Sequence, residues 1–141
     1  MKRIIAIALF TAASTLAVAN AFAQDHAIKA TMPFGFAVGN KVMPPGTYTI
    51  NPVTNNVIGI RNLENQISIL NTSTPDSNQS QNGAVLVFDK IGGDYFLREV
   101  LGGSAGAVNV NLPLSKAEKR ARQREAFAQN HSESQITIAM R

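Results

Sequence analysis

The chain contains no cysteine among its 141 residues. This absence excludes disulfide bonds, a thiol nucleophile and any metal site with cysteine ligands. It also excludes the lipid-bearing cysteine that follows the leader of a typical bacterial lipoprotein. Hydrophobic packing must therefore stabilise the fold without covalent cross-links.

Histidine is also rare, since His26 and His131 are the only two, and we expect both to be solvated. No serine–histidine–aspartate spacing and no Gly-x-Ser-x-Gly segment points to a hydrolase. A calcium-loop pattern begins at Asp76, but Gln81 and Val87 stand where that loop needs glycine and glutamate. The sequence therefore predicts no catalytic residues, no cofactor and no metal site. A hydrolase with a site built from ordinary residues is left as an alternative.

Long apolar runs are absent apart from one near the N-terminus. Lys2 and Arg3 precede an apolar segment over residues 4–18, and Ala21-Phe22-Ala23 follows it. Positive, apolar and small residues in that order are typical of a signal peptide. The run is shorter than the roughly 20 residues that span a bilayer. We therefore expect residues 1–23 to be a signal peptide, residues 24–141 to form one β-rich domain without a transmembrane segment, and the protein to be exported to the periplasm or the medium.

Positive charge is concentrated in one short segment. Without Lys2 and Arg3 the 13 basic side chains fall to 11, against 9 acidic ones. Five of the bases lie close together near the C-terminus: Lys116, Lys119, Arg120, Arg122 and Arg124. This patch is the candidate binding site, because it can attract an anionic lipid surface, lipopolysaccharide or nucleic acid. Export argues against nucleic acid, and a solvated helix face is the simpler interpretation.

The body of the chain alternates apolar and polar residues with a period of two. Every second residue from Ile28 to Val38 is apolar, which predicts a half-buried strand. Pro33 cannot donate a ladder hydrogen bond, so this strand is either an edge or bends there. A turn at Pro44-Pro45-Gly46 then predicts a strand from Thr47, and residues 57–61 and 66–71 predict a hairpin.

A second hairpin is predicted around Gly92-Gly93, which separates apolar runs at residues 84–90 and 95–101. A two-residue loop there places Phe88 opposite Leu97, and Leu86 opposite Glu99. It also puts Asp89 on the same face as Arg98, where we expect an ion pair, with Glu99 on the opposite face. Both faces of this hairpin carry apolar side chains, so we expect it to lie centrally. The polar stretch 72–82 predicts an exposed loop.

The only strong helix signal follows Pro113. Ser115 and Glu118 have the spacing of a capping box, which predicts a helix at about residues 114–129. Its apolar stripe is thin, consisting of Ala117, Ala121, Phe127 and Ala128. We therefore expect the helix to lie on the surface and to be an accessory to the β body. Short strands are predicted near residues 108–112 and 136–140.

Several short motifs resemble a group of small secreted proteins common in acidobacteria. The matching segments are Pro33-Phe34-x-Phe36-x-Val38-Gly39, Met43-Pro44-Pro45-Gly46-Thr47-Tyr48, Leu86-Val87-Phe88, Tyr95-Phe96-Leu97 and Leu112-Pro113-x-Ser115-x-x-Glu118. This chain departs from the group at Pro45, where alanine is frequent, and at Val100 and Leu101, where an aromatic residue is frequent. The resemblance implies a secreted, mostly β domain and implies no active-site residues.

Taken together, these patterns predict a mainly β protein: an antiparallel meander that forms a sandwich or small barrel, with one C-terminal α-helix. A non-catalytic secreted or periplasmic binding or structural module is the preferred functional hypothesis. The alternatives are a barrel that carries a small apolar ligand in its interior and the hydrolase named above.

Overall fold

The computed structural model of the chain describes residues 27–77, 80, 83–102, 108–128 and 133–141. The predicted signal peptide, His26 and His131 lie outside these described residues. Eleven strands and one helix occur within them, in the following order: β1 Ile28–Met32, β2 Phe36–Val38, β3 Lys41–Met43, β4 Gly46–Thr54, β5 Val57–Asn62, β6 Ser68–Thr72, β7 Thr74–Pro75, β8 Val85–Ile91, β9 Asp94–Leu101, β10 Asn109–Asn111, α1 Lys116–Phe127 and β11 Glu133–Ala139. Across the described ranges, no helix is long and apolar enough to cross a bilayer.

The strands form two sheets, as the mainly β prediction requires. The first sheet has the order β1-β4-β5-β6, and the second has the order β11-β8-β9-β10-β7. These neighbours are antiparallel throughout. The short strand β2 adds to β9 in parallel, and β3 pairs with β2. The prediction of a mostly antiparallel β fold with a C-terminal helix is confirmed.

The two sheets meet at both margins and curl into a half-barrel. At one margin, Lys29 of β1 and Arg141 exchange two backbone hydrogen bonds of 3.0 and 2.8 Å. At the other margin, β6 pairs with the first sheet and β7 with the second, and only Ser73 separates these two strands. Ser73 is buried, and its N–H donates to the carbonyl oxygen of Asn56. The sheets therefore enclose a single interior.

Side chains fill this interior. Strand alternation sends every second residue inward, and the largest residues less than 2% exposed are Tyr48, Phe88, Met32, Met43, Ile50, Ile58, Ile60, Leu86, Leu112, Val38, Val100 and Asn62. Phe36 packs edge-on against both Tyr48 and Phe88, with ring centroids 5.1 and 5.4 Å apart. A ligand carried inside the described part of the barrel would have to displace these side chains.

The hairpin of β8 and β9 has the predicted turn. Ile91 pairs with Asp94 across Gly92-Gly93, and Phe88 pairs with Leu97. A register shift then follows in the ladder, so Leu86 faces Val100 and not Glu99. The prediction for Leu86 was wrong because a two-residue turn sets the register only as far as the first bulge.

Two predicted boundaries also differ from the structure. The alternating segment 28–38 is two strands, since β1 ends at Met32 and β2 begins at Phe36; the chain bends at Pro33, which was one of the two predicted outcomes. The polar stretch predicted to be a loop begins as strand, because Thr74 and Pro75 pair with β10. The polar composition hid this strand, since its outward side chains are solvated.

Helix α1 lies across the outer face of the second sheet. The Ser115 hydroxyl accepts a 3.0 Å hydrogen bond from the N–H of Glu118, which confirms the predicted N-cap. Ala117 and Ala121 pack against the outward side chains of β2, β8 and β9, namely Ala37, Ile91 and Phe96. These small residues let the helix approach the sheet closely, and they determine which face of α1 points outward.

Candidate functional site: the outward face of helix α1

The inward side of α1 is held to the sheet by a cluster of charged side chains centred on Arg122. Its guanidinium donates to Asp89 of β8 at 2.8 Å and to Glu118 of α1 at 3.0 Å. It also pairs with Glu133 at the start of β11. The side chains of Asp89 and Glu118 are only 7% and 3% exposed. Arg122 is therefore the nearest positive charge to two buried carboxylates, which would be costly to leave without a partner.

The carboxylates also set the protonation of this arginine. Burial by itself lowers the pKa of Arg122, but the hydrogen bond to Glu118 and the charges of Glu133 and Glu118 outweigh this effect and raise the pKa above its usual value. Arg122 therefore carries a permanent positive charge that is already matched inside the protein. It is not available to bind an external anion.

The predicted ion pair between Asp89 and Arg98 is present, although it is long. The Nε atom of Arg98 lies 3.9 Å from Asp89 Oδ2, while its Nη1 donates to the carbonyl oxygen of Leu112 at 2.8 Å. Arg98 thus joins β9 to the segment that leads into α1. The sequence reasoning missed Arg122 as the main partner of Asp89, because the two residues lie on different elements 33 positions apart.

The structure divides the five predicted basic residues into two groups. Arg122 points inward, and Arg124 pairs with Asp94 at 3.2 Å in an exposed contact. Lys116, Lys119 and Arg120 are exposed. Among the described residues, these three side chains have no carboxylate partner within salt-bridge distance. They are the residues that could meet an external anion.

The exposed bases share one helical face with an aromatic side chain. Positions 116, 120, 123 and 127 are separated by four, three and four residues, which aligns them along one side of an α-helix. Phe127 ends this row and is 89% exposed. Ala117 and Ala121 lie roughly 110° around the helix axis from this row and face the sheet. We define the outward face of α1 by Lys116, Lys119, Arg120, Gln123 and Phe127.

The sequence grouped Phe127 with the alanines as part of one apolar stripe, and this prediction was wrong. Only Ala117 and Ala121 pack against the sheet. Phe127 lies ten positions after Ala117 and six after Ala121, which at about 100° per residue places it about 80° and about 120° around the helix axis from these two alanines. A helical wheel would have revealed the separation from sequence alone. Phe127 therefore belongs with the bases and not with the core.

The positive charges are placed where they weaken the helix. Lys116 and Lys119 occupy the first helical turn, where the helix dipole favours negative charge. Lys116 and Arg120 are also four residues apart, so two like charges face each other on the helix surface. Neither arrangement is compensated by an acidic neighbour on the outward face. A helix selected only for stability would place these bases near its C-terminus.

The carboxyl group of Glu99 also lies on the outer face of the second sheet. Glu99 pairs with Val87, which has the same orientation in β8 as Asp89. The expectation that Glu99 and Asp89 occupy opposite faces was therefore wrong. Burial raises the pKa of Glu99 above its usual value, the negative charge of Asp76 raises it further, and Arg98 opposes the rise. Within the described residues, no group of three or more metal-binding side chains forms here or elsewhere.

An apolar groove of about 430 Å³ lies on the outer face of the first sheet. Its floor is Gly59, beside which Val53 and Leu70 approach to within 3.2 and 3.5 Å of the place where a Cβ would stand. Val53 and Leu70 are 50% and 67% exposed. The groove carries little charge apart from Arg61, and none of the basic patch borders it.

No family model, no curated protein and no solved structure matches this chain.

Proposed function

We propose that this protein is a non-catalytic binding module, exported from the cytoplasm, that docks on a polyanionic surface through the outward face of α1. The observation that carries the proposal is the set of three exposed bases, Lys116, Lys119 and Arg120, whose charge no described acidic side chain neutralises. Their position in the N-terminal half of the helix costs stability. An external anion would offset that cost.

The inward ion cluster supports the same function. It anchors α1 to β8 and β11 through Asp89 and Glu133, so the outward face is presented on a rigid support. A rigid support limits the conformational entropy that is lost on binding. Export is supported by the signal-peptide pattern of residues 1–23.

Charge reversal on the outward face tests the proposal. We expect the triple variant Lys116→Glu, Lys119→Glu and Arg120→Glu to lose retention on a heparin column at low salt. Retention of the parent should fall as salt increases, because exposed charges are screened within about 10 Å at 0.1 M. Circular dichroism would confirm that the variant remains folded.

A matched control separates a specific face from net charge. Lys29, Lys41 and Arg61 are also exposed bases, and they lie on β1, β3 and β5. Reversing these three residues to glutamate changes the net charge by the same amount, but we expect most of the retention to survive. Equal loss from both triple variants would contradict the proposal, since it would show that only the total charge matters.

A further inference from the structure

We infer that the polyanionic surface is an anionic lipid bilayer, and that Phe127 enters the boundary between its headgroups and acyl chains. This inference rests on the proposed function, and it adds the class of partner and a residue that electrostatics alone would not require. The observation behind it is that Phe127, at the end of the row of basic residues, is 89% exposed.

The exposure of Phe127 has no structural explanation within the described part of the protein. The side chain is not a member of any buried apolar cluster, and aromatic residues are weaker helix formers than alanine, lysine or arginine. A soluble helix face gains nothing from a phenylalanine that points into water. A bilayer supplies the apolar surroundings that the fold does not provide.

The shape of the outward face also favours a bilayer. The face is one side of a single helix lying on a sheet, so it is convex, and Lys116 and Phe127 are about 16 Å apart along it at 1.5 Å per residue. A protein partner would need a matching pocket for the ring, whereas lipid chains rearrange around it. Nucleic acid would satisfy the bases but would leave the phenylalanine in water unless a base were unstacked.

The basic side chains fit the same arrangement. Lysine and arginine have long apolar stems. Their charged ends can therefore stay at the level of the lipid phosphates while the helix axis lies deeper, closer to the acyl chains. Lys116, Lys119 and Arg120 can therefore contact lipid phosphates while Phe127 lies deeper. Each base near an anionic membrane surface strengthens binding, and the ring adds buried apolar area.

The absence of tryptophan from the chain allows a clean test. Phe127→Trp introduces a single tryptophan at the proposed insertion point, and its fluorescence can be excited separately from that of the two tyrosines. We expect its emission to shift to the blue when vesicles of phosphatidylglycerol and phosphatidylcholine are added, and to stay unchanged with phosphatidylcholine alone. Leu70→Trp is the control, because Leu70 is 67% exposed on the first sheet and should remain in water.

The second measurement is the affinity of Phe127→Ala for the same vesicles. We expect it to fall about tenfold, since much of the apolar contribution of the ring is lost, while heparin retention stays at the parent level. Parent and variants are compared as the chain from Gln24 onward, the form that export would release, so the apolar segment 4–18 does not contribute to vesicle binding.

The outcomes distinguish this inference from the proposed function. Heparin binding without vesicle binding, or vesicle binding without a blue shift at position 127, would overturn the bilayer inference and leave the polyanion function intact. If the parent binds neither heparin nor vesicles at low salt, both the bilayer inference and the proposed function are overturned. A blue shift confined to Phe127→Trp, with the expected loss in Phe127→Ala, would support both.

Discussion

Replacing Arg122 with methionine should destabilise the protein more than the same replacement of any other basic residue on α1. Methionine keeps most of the apolar stem but removes the guanidinium, so Asp89 and Glu118 lose their nearest positive charge. Breaking a buried ion pair typically costs about 3–5 kcal/mol. Arg122 is 32% exposed, and Asp89 keeps Arg98 at 3.9 Å. Both facts reduce the loss, and we expect about 2–3 kcal/mol.

Thermal and urea denaturation would measure this loss. For a domain of this size, 1 kcal/mol corresponds to about 4 °C, so Arg122→Met should lower the melting temperature by about 8–12 °C. Arg124→Met is the matched control on the same helix. Its pair with Asp94 is 72% and 59% exposed, and such pairs contribute less than about 1 kcal/mol.

Melting temperatures within about 2 °C of the parent for both variants would refute the role of the cluster. Equal shifts for Arg122→Met and Arg124→Met would refute the importance of burial.

Three further changes have defined outcomes. Phe88→Ala removes a fully buried ring that contacts Phe34 and Phe36 edge-on, so its free energy of unfolding in urea should fall by about 3–5 kcal/mol. Because the pKa of Glu99 is raised in the folded protein, the folded state holds its proton more tightly, and stability falls as pH rises above about 4. Glu99→Gln should therefore melt above the parent at pH 7, with no such gain below pH 4. Ser115→Ala should lower stability by about 1 kcal/mol and increase amide exchange in the first turn of α1.

Features governed by neighbouring residues were predictable from sequence. The Gly92-Gly93 turn, the pairing of Phe88 with Leu97 and the cap at Ser115 each depend on a few adjacent positions. Backbone preference and hydrogen-bonding capacity at those positions are sufficient to specify them. The basic patch was also visible in the sequence, because all its members lie within one short helix.

Contacts between distant elements decided the rest. The register shift that brings Glu99 to the same face as Asp89 depends on how β8 and β9 fit the curled sheet. Likewise, α1 turns Arg122 inward and leaves Arg120 outside because Ala117 and Ala121 pack closely on the second sheet. The sequence contains all these bases, but it does not state which of them face carboxylates across the fold. Long-range packing makes that selection, since the rotation of a helix about its axis is set by the surface against which it packs.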